Sequence, residues 1–100
     1  MSAISSATRA ALQQAAAMVE RDAALSDLVA VLDPKRAASL YSLAGTITRM
    51  IETHATGVQR VLAGARPPRD EIEVALVTLY RTGCPTSQRQ LYRLLGDLLG

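Results

Sequence analysis

The stretch Leu40-Tyr41-Ser42-Leu43-Ala44-Gly45-Thr46-Ile47-Thr48-Arg49-Met50-Ile51-Glu52-Thr53-His54 decides the fold class of this 100-residue chain. Its apolar residues Leu40, Leu43, Ala44, Ile47, Met50 and Ile51 recur at three- and four-residue steps, the spacing of one helix face and not of a strand. His54, Val58, Val61 and Leu62 continue the series. Asp33 and Pro34 stand before it as an N-cap and a first helical residue. Gly45 and Gly57 weaken it by about 1 kcal/mol each relative to alanine. Read as continuous to Ala63, this helix would be about 45 Å long, against a diameter of about 35 Å for a compact sphere of this size. The expectation is an elongated molecule rather than a helix bent at a glycine.

On the N-terminal side, residues from about Ser6 to Leu32 form a first helical segment. Ile4, Ala11, Met18, Leu25 and Leu32 recur every seven residues, supported by Ala7, Ala15, Leu28 and Val29. Its early members are alanines, which pack closely but bury little area. Ser26-Asp27 offers a second helix start, which leaves a kink or break near Asp22 to Asp27 open as an alternative to one continuous helix. On the C-terminal side, Asp70 with Glu73 three residues later reads as a capping box opening a third segment. Ile72, Ala75, Leu76 and Leu79 lie on one face and Val74 and Val77 on another, and Gly83 stops the helix. A fourth segment starts at Thr86 or Ser87, with Ser87 and Gln90 as a second capping box and Leu91, Leu94, Leu95 and Leu98 as its stripe. Tyr92 and Leu99 widen that stripe.

Composition agrees with four helices. Hydrophobic residues are 49% of the chain, with 17 Ala and 14 Leu against 7 Val and 4 Ile, and there is no Phe or Trp. Strands draw on the β-branched and aromatic types that are scarce here. One domain spanning residues 1–100 is expected: an all-α fold in which a long antiparallel helical hairpin packs with two shorter helices. The wide leucine face of the fourth segment and the all-round apolarity of the third suggest a homodimeric bundle. No apolar run approaches the roughly 18 residues of a membrane span. Residues 1–6 do not read as a secretory signal, and the single cysteine suits a reducing cytoplasm.

The formal net charge of +2 hides a segregation. Residues 1–33 carry two arginines against four carboxylates, residues 34–69 six cations against Glu52 alone, and residues 70–100 three arginines against four carboxylates. On a straight second helix, Lys35, Arg49 and Arg60 would share one face opposite the apolar stripe. That face is either solvated or offered to an acidic partner or to phosphate.

Site chemistry is sparse. His54 reads as a half-buried histidine on the apolar stripe, with no nucleophile or carboxylate placed beside it by spacing. Cys84 reads as a passive thiol in a turn. One Cys and one His cannot build a structural zinc site. Asp70, Glu71 and Glu73 are accounted for by capping and the helix dipole. The glycines form no phosphate loop. No catalytic, cofactor or metal residue is assigned.

These readings favour a non-enzymatic regulator or inhibitor that binds a larger protein or nucleoprotein. Short, compact and motif-free inhibitors carried by phages and other mobile elements, anti-CRISPR proteins among them, share this profile as a class. Arginine outnumbers lysine ten to one, which suits bidentate contacts to carboxylate or phosphate. The exposed arginines expected to meet the partner are Arg49, Arg60, Arg66 and Arg69, followed by Arg89 and Arg93. The alternative is a helix-turn-helix DNA binder, with Gly83-Cys84-Pro85 as its turn and Thr86-Ser87-Gln88-Arg89-Gln90 at the head of the reading helix.

Overall fold

The first helical segment folds as one helix: α1 (Ser6–Leu32) is unbroken, so Ser26-Asp27 does not restart it. The computed structural model describes residues 6–83 and 87–99. Ile4, Cys84, Pro85 and Thr86 lie outside the described residues. After α1 come α2 (Leu40–Thr53), α3 (Ala55–Leu62), α4 (Glu71–Thr82) and α5 (Gln88–Leu99), and no strand occurs among the described residues. None of these helices is long and apolar enough to cross a membrane.

Two departures concern the second segment. Asp33 does not open a helix at Pro34. Its N–H closes α1 on Val29 O at 2.8 Å, and its carbonyl accepts from Arg36 N. Its buried carboxylate takes the N–H groups of Ala37 and Ala38 at 2.9 and 3.0 Å. Such side-chain bonds to nearby backbone compete with helix formation, and here they hold a turn in which Arg36 adopts a φ of 55°. The helix begins later, at Leu40, with Ser39 as N-cap accepting from Ser42 N at 3.1 Å. The second departure is a break at His54, at φ −95° and ψ 5°, which divides the expected 30-residue helix into α2 and α3. A helix end leaves carbonyls without intrahelical donors. Tyr80 of α4 supplies one of them, donating its hydroxyl to Ile51 O at 2.7 Å.

The third and fourth segments start and stop where their caps place them. Asp70 accepts from Glu73 N at 2.8 Å. Gly83 ends α4 in the left-handed region at φ 79°, where a side chain would be strained. Ser87 accepts from Gln90 N at 3.2 Å and donates to Gln90 Oε1.

Helix pairing differs from a long hairpin of the first two segments. The main neighbour of α1 is α4, that of α2 is α5, and α3 packs on α4. Arg81 of α4 meets Glu20 of α1 at 2.8 Å, whereas Asp70 and Glu71 lie beside Val31 in one groove, so α1 and α4 run antiparallel. The two pairs enclose one core: Leu25, Leu28 and Val29 of α1, Ile47 of α2, Val58 of α3, Leu76 and Leu79 of α4, and Leu91 and Leu95 of α5 are all nearly inaccessible. Each such side chain contributes about 1.5–3 kcal/mol on burial.

The 27 residues of α1 outrun the 12 of α4 by more than 20 Å at about 1.5 Å per residue. Almost everything from Ala7 to Glu20 is exposed. The radius of gyration is 15.1 Å and the molecule measures 52 × 36 × 21 Å, more extended than the radius of about 13 Å typical of a 100-residue domain.

Candidate partner-binding surfaces

Two glycines let polar side chains close on helix backbones, and each shapes a surface. At Gly57 of α3, Arg66 comes in from the loop and donates to Gly57 O at 3.3 Å. A Cβ at this position would stand 2.9 Å from Arg66 Nη2. The guanidinium there grips Glu73 bidentately, Nη1 to Oε1 and Nη2 to Oε2, the latter at 3.0 Å. Arg66 also donates to Pro67 O at 3.1 Å, and Arg69 N donates to Glu73 Oε1 at 3.0 Å. The Arg66 hydrogen bond is the main reason the Glu73 carboxyl is pulled down to about 2; burial opposes it and the Arg69 N–H assists. The same bond holds the Arg66 guanidinium above its ordinary range. Arg66, expected at the exposed surface, is thus a largely buried structural residue with 20% of its side chain accessible. Glu73 reaches the N–H of Arg69 rather than that of the cap residue, one position earlier than a standard capping box.

At Gly45 of α2, the Gln88 amide of α5 occupies the space a Cβ would need, 2.7 Å from it, and donates to Tyr41 O at 3.1 Å. One helical turn along α5, Tyr92 meets Tyr41 edge to face, with ring centres 5.6 Å apart and planes at 73°. Both rings are about half exposed, at 57% and 44%. Arg49 follows Gly45 by one turn of α2, and Arg89 and Arg93 stand on the exposed side of α5 beside Tyr92. None of the three has an ion pair among the described residues. The α2–α5 seam thus exposes an aromatic pair, and the same two helices carry three exposed guanidinium groups without an ion pair among the described residues.

The remaining candidates scatter. Arg60 is exposed in the last turn of α3, where the helix dipole favours a cation. Lys35 lies in the turn before α2, so the break at His54 and the late start of α2 remove the straight helix on which Lys35, Arg49 and Arg60 were to align. His54 is exposed at the break rather than half-buried on the stripe. Of the expected base-reading residues, Gln88 is committed to Tyr41 O, and Gln90 to Ser87; Arg89 is left exposed. The leucine face of α5 is largely spent within one chain, with Leu91 and Leu95 inaccessible. Among the described residues, no three His, Cys, Asp or Glu side chains gather closely enough to hold a metal ion.

A second surface is a groove of about 680 Å³ between the C-terminal half of α1 and the start of α4. Its floor is apolar, with Ala24, Ala30, Val31, Val74 and Ala75, and its rim carries Asp27, Arg69, Asp70 and Glu71. Val31 and Val74 are 42% and 51% exposed, so the apolar floor is open. Neither this groove nor the tyrosine pair was visible in the sequence, because each joins residues more than thirty-five positions apart. The strongest signal available was the presence of Gly45 and Gly57 inside an otherwise strong helical pattern, where glycine costs stability unless something approaches the backbone.

No family model matches the chain, and no curated protein or solved structure is similar to it.

Proposed function

We propose that this chain is a small non-enzymatic regulator or inhibitor that binds a larger protein or nucleoprotein through the α2–α5 seam. The observation that supports this reading is the exposed Tyr41–Tyr92 pair on two helices that also carry the exposed Arg49, Arg89 and Arg93. Tyrosine and arginine are the residue types that most often carry binding energy at interfaces: each combines a large contact area with a directed polar group. A rigid edge-to-face pair loses little conformational freedom on docking, and three unpaired guanidinium groups favour a partner rich in carboxylates or phosphates. The other arginines are less suited to this role, Arg66 because it is bound to Glu73 and Arg60 and Arg69 because they lie on other elements.

The test is quantitative capture from the native cell with the wild-type chain and an Arg89→Glu/Arg93→Glu variant side by side, after nuclease treatment. One partner enriched by the wild type and lost by the variant, with unchanged helical circular dichroism, supports the reading. Identical recovery by both overturns the assignment of this seam. A target lost on nuclease treatment, together with a salt-sensitive shift of duplex DNA by the purified chain, would favour the DNA-binding alternative instead.

A further inference from the structure

Most of the first half of α1 is exposed, and it carries Leu12, Met18 and Val19 at 57%, 47% and 69% exposure. This alanine-rich half extends a helix already held by its packed second half, so it gains little stability of its own until an apolar surface covers it. Beside it, the second half of the same helix forms one wall of the open α1–α4 groove. Arg9, Leu12, Ala16 and Val19 lie along one line of α1 by their three- and four-residue steps. Ala23, Asp27 and Ala30 continue that line into the groove wall.

We propose that this face pairs with the same face of a second copy of the chain, antiparallel, so that the first half of each α1 lies in the α1–α4 groove of the other. The charges argue for a second copy over an unrelated helix. Arg9 is the only charged residue of α1 before Glu20, and Glu20 is already engaged by Arg81. At the far end of the line sit Asp27 and, across the groove, Asp70 and Glu71 beside Arg69, three carboxylates against one guanidinium. An occupant must therefore present a cation, then an uncharged apolar run, in the direction opposite to α1. The first half of α1 is such a segment. Centred near Arg21, the pairing sets Leu12 opposite Ala30 and Ala16 opposite Ser26, and it carries Arg9 to the acidic end of the groove. Both halves of each helix are satisfied at once, in a self-complementary contact that closes at two copies. The alanines allow the two helices to approach closely, and the leucines and valines supply the apolar area. This surface is separate from the α2–α5 seam, so dimerisation and partner capture can fail independently.

Sedimentation equilibrium across the micromolar range is expected to show a reversible dimer, with helical circular dichroism rising as the dimer forms. In a Cys84→Ser background, a Leu12→Cys/Ala30→Cys variant should give a disulfide-linked dimer on oxidation. Leu12→Cys alone should not, because the two Leu12 positions would lie about 27 Å apart along the paired helices. Arg9→Glu should weaken the dimer about tenfold by turning two attractions into repulsions, and Arg9→Glu/Glu71→Arg should restore it. A chain that stays monomeric, a dimer insensitive to Val19→Glu, or equal cross-linking through Leu12→Cys alone would each overturn the proposal.

Discussion

Arg66 and Glu73 are joined side by side across the corner between α3 and α4, and the absence of a side chain at Gly57 makes room for them. The guanidinium meets the carboxylate with two parallel hydrogen bonds and turns a third toward Gly57 O. A loop of eight residues between α3 and α4 is thereby tied to both helices it connects.

Acid should loosen this corner first. Glu73 is held at about 2 against an ordinary 4.5, so the folded state binds its proton less readily than the unfolded chain does. The contribution is fully present above pH 4.5 and is lost as the pH falls from there through 2. Urea unfolding followed across that window should show a falling midpoint, and Glu73→Gln should flatten the fall while lowering stability at neutral pH.

Two glycine substitutions should have opposite signs. Gly96 lies inside α5 with nothing within 4 Å of a Cβ, so Gly96→Ala should stabilise by about 0.5–1 kcal/mol through helix propensity alone. Gly57→Ala gains the same propensity but places a methyl 2.9 Å from Arg66 Nη2, against an arginine pinned by its partners. It should lower the denaturation midpoint, and a stabilised Gly57→Ala would mean that the ion pair has room to shift.

Asp33→Ala should cost about 2 kcal/mol, since it removes two hydrogen bonds to a charged acceptor and leaves the N–H groups of Ala37 and Ala38 without it. Asp33→Asn retains one acceptor oxygen and should fall between the two. Chemical denaturation of the three chains at one pH gives the order directly.

Leucines on the two parts of the molecule should separate cleanly. Leu76→Ala empties a fully buried position and should cost about 2–5 kcal/mol. Leu12 is exposed in the single chain, so Leu12→Ala should change folding stability by less than about 0.5 kcal/mol in dilute solution. A large effect of Leu12→Ala there would place that residue in the core of the monomer.

Much of the helical pattern was legible residue by residue. Asp70, Gly83 and Ser87 cap the ends they were read to cap, and the stripes of Leu43, Ile47 and Ile51 and of Leu91 and Leu95 are the buried ones. Asp33 was misleading for a local reason: its carboxylate had two uses, capping a helix or stapling a turn, and short-range preference alone does not rank them. His54 was misread for a longer-range reason. Its exposure follows from a break whose freed carbonyl at Ile51 is satisfied by Tyr80, 29 residues away.

By itself, then, the sequence determined that the chain is helical, where several of its helices begin and end, and which side of each is apolar. Those outcomes depend on capping bonds and periodicities acting within about one turn. Tertiary structure alone decided that α1 takes α4 and α2 takes α5, that Arg66 is spent on Glu73, and that Tyr41 meets Tyr92. Such contacts depend on how faces of similar hydrophobicity fit together in space. Four leucine- and alanine-rich stripes carry too little distinguishing information along the chain to name their partners.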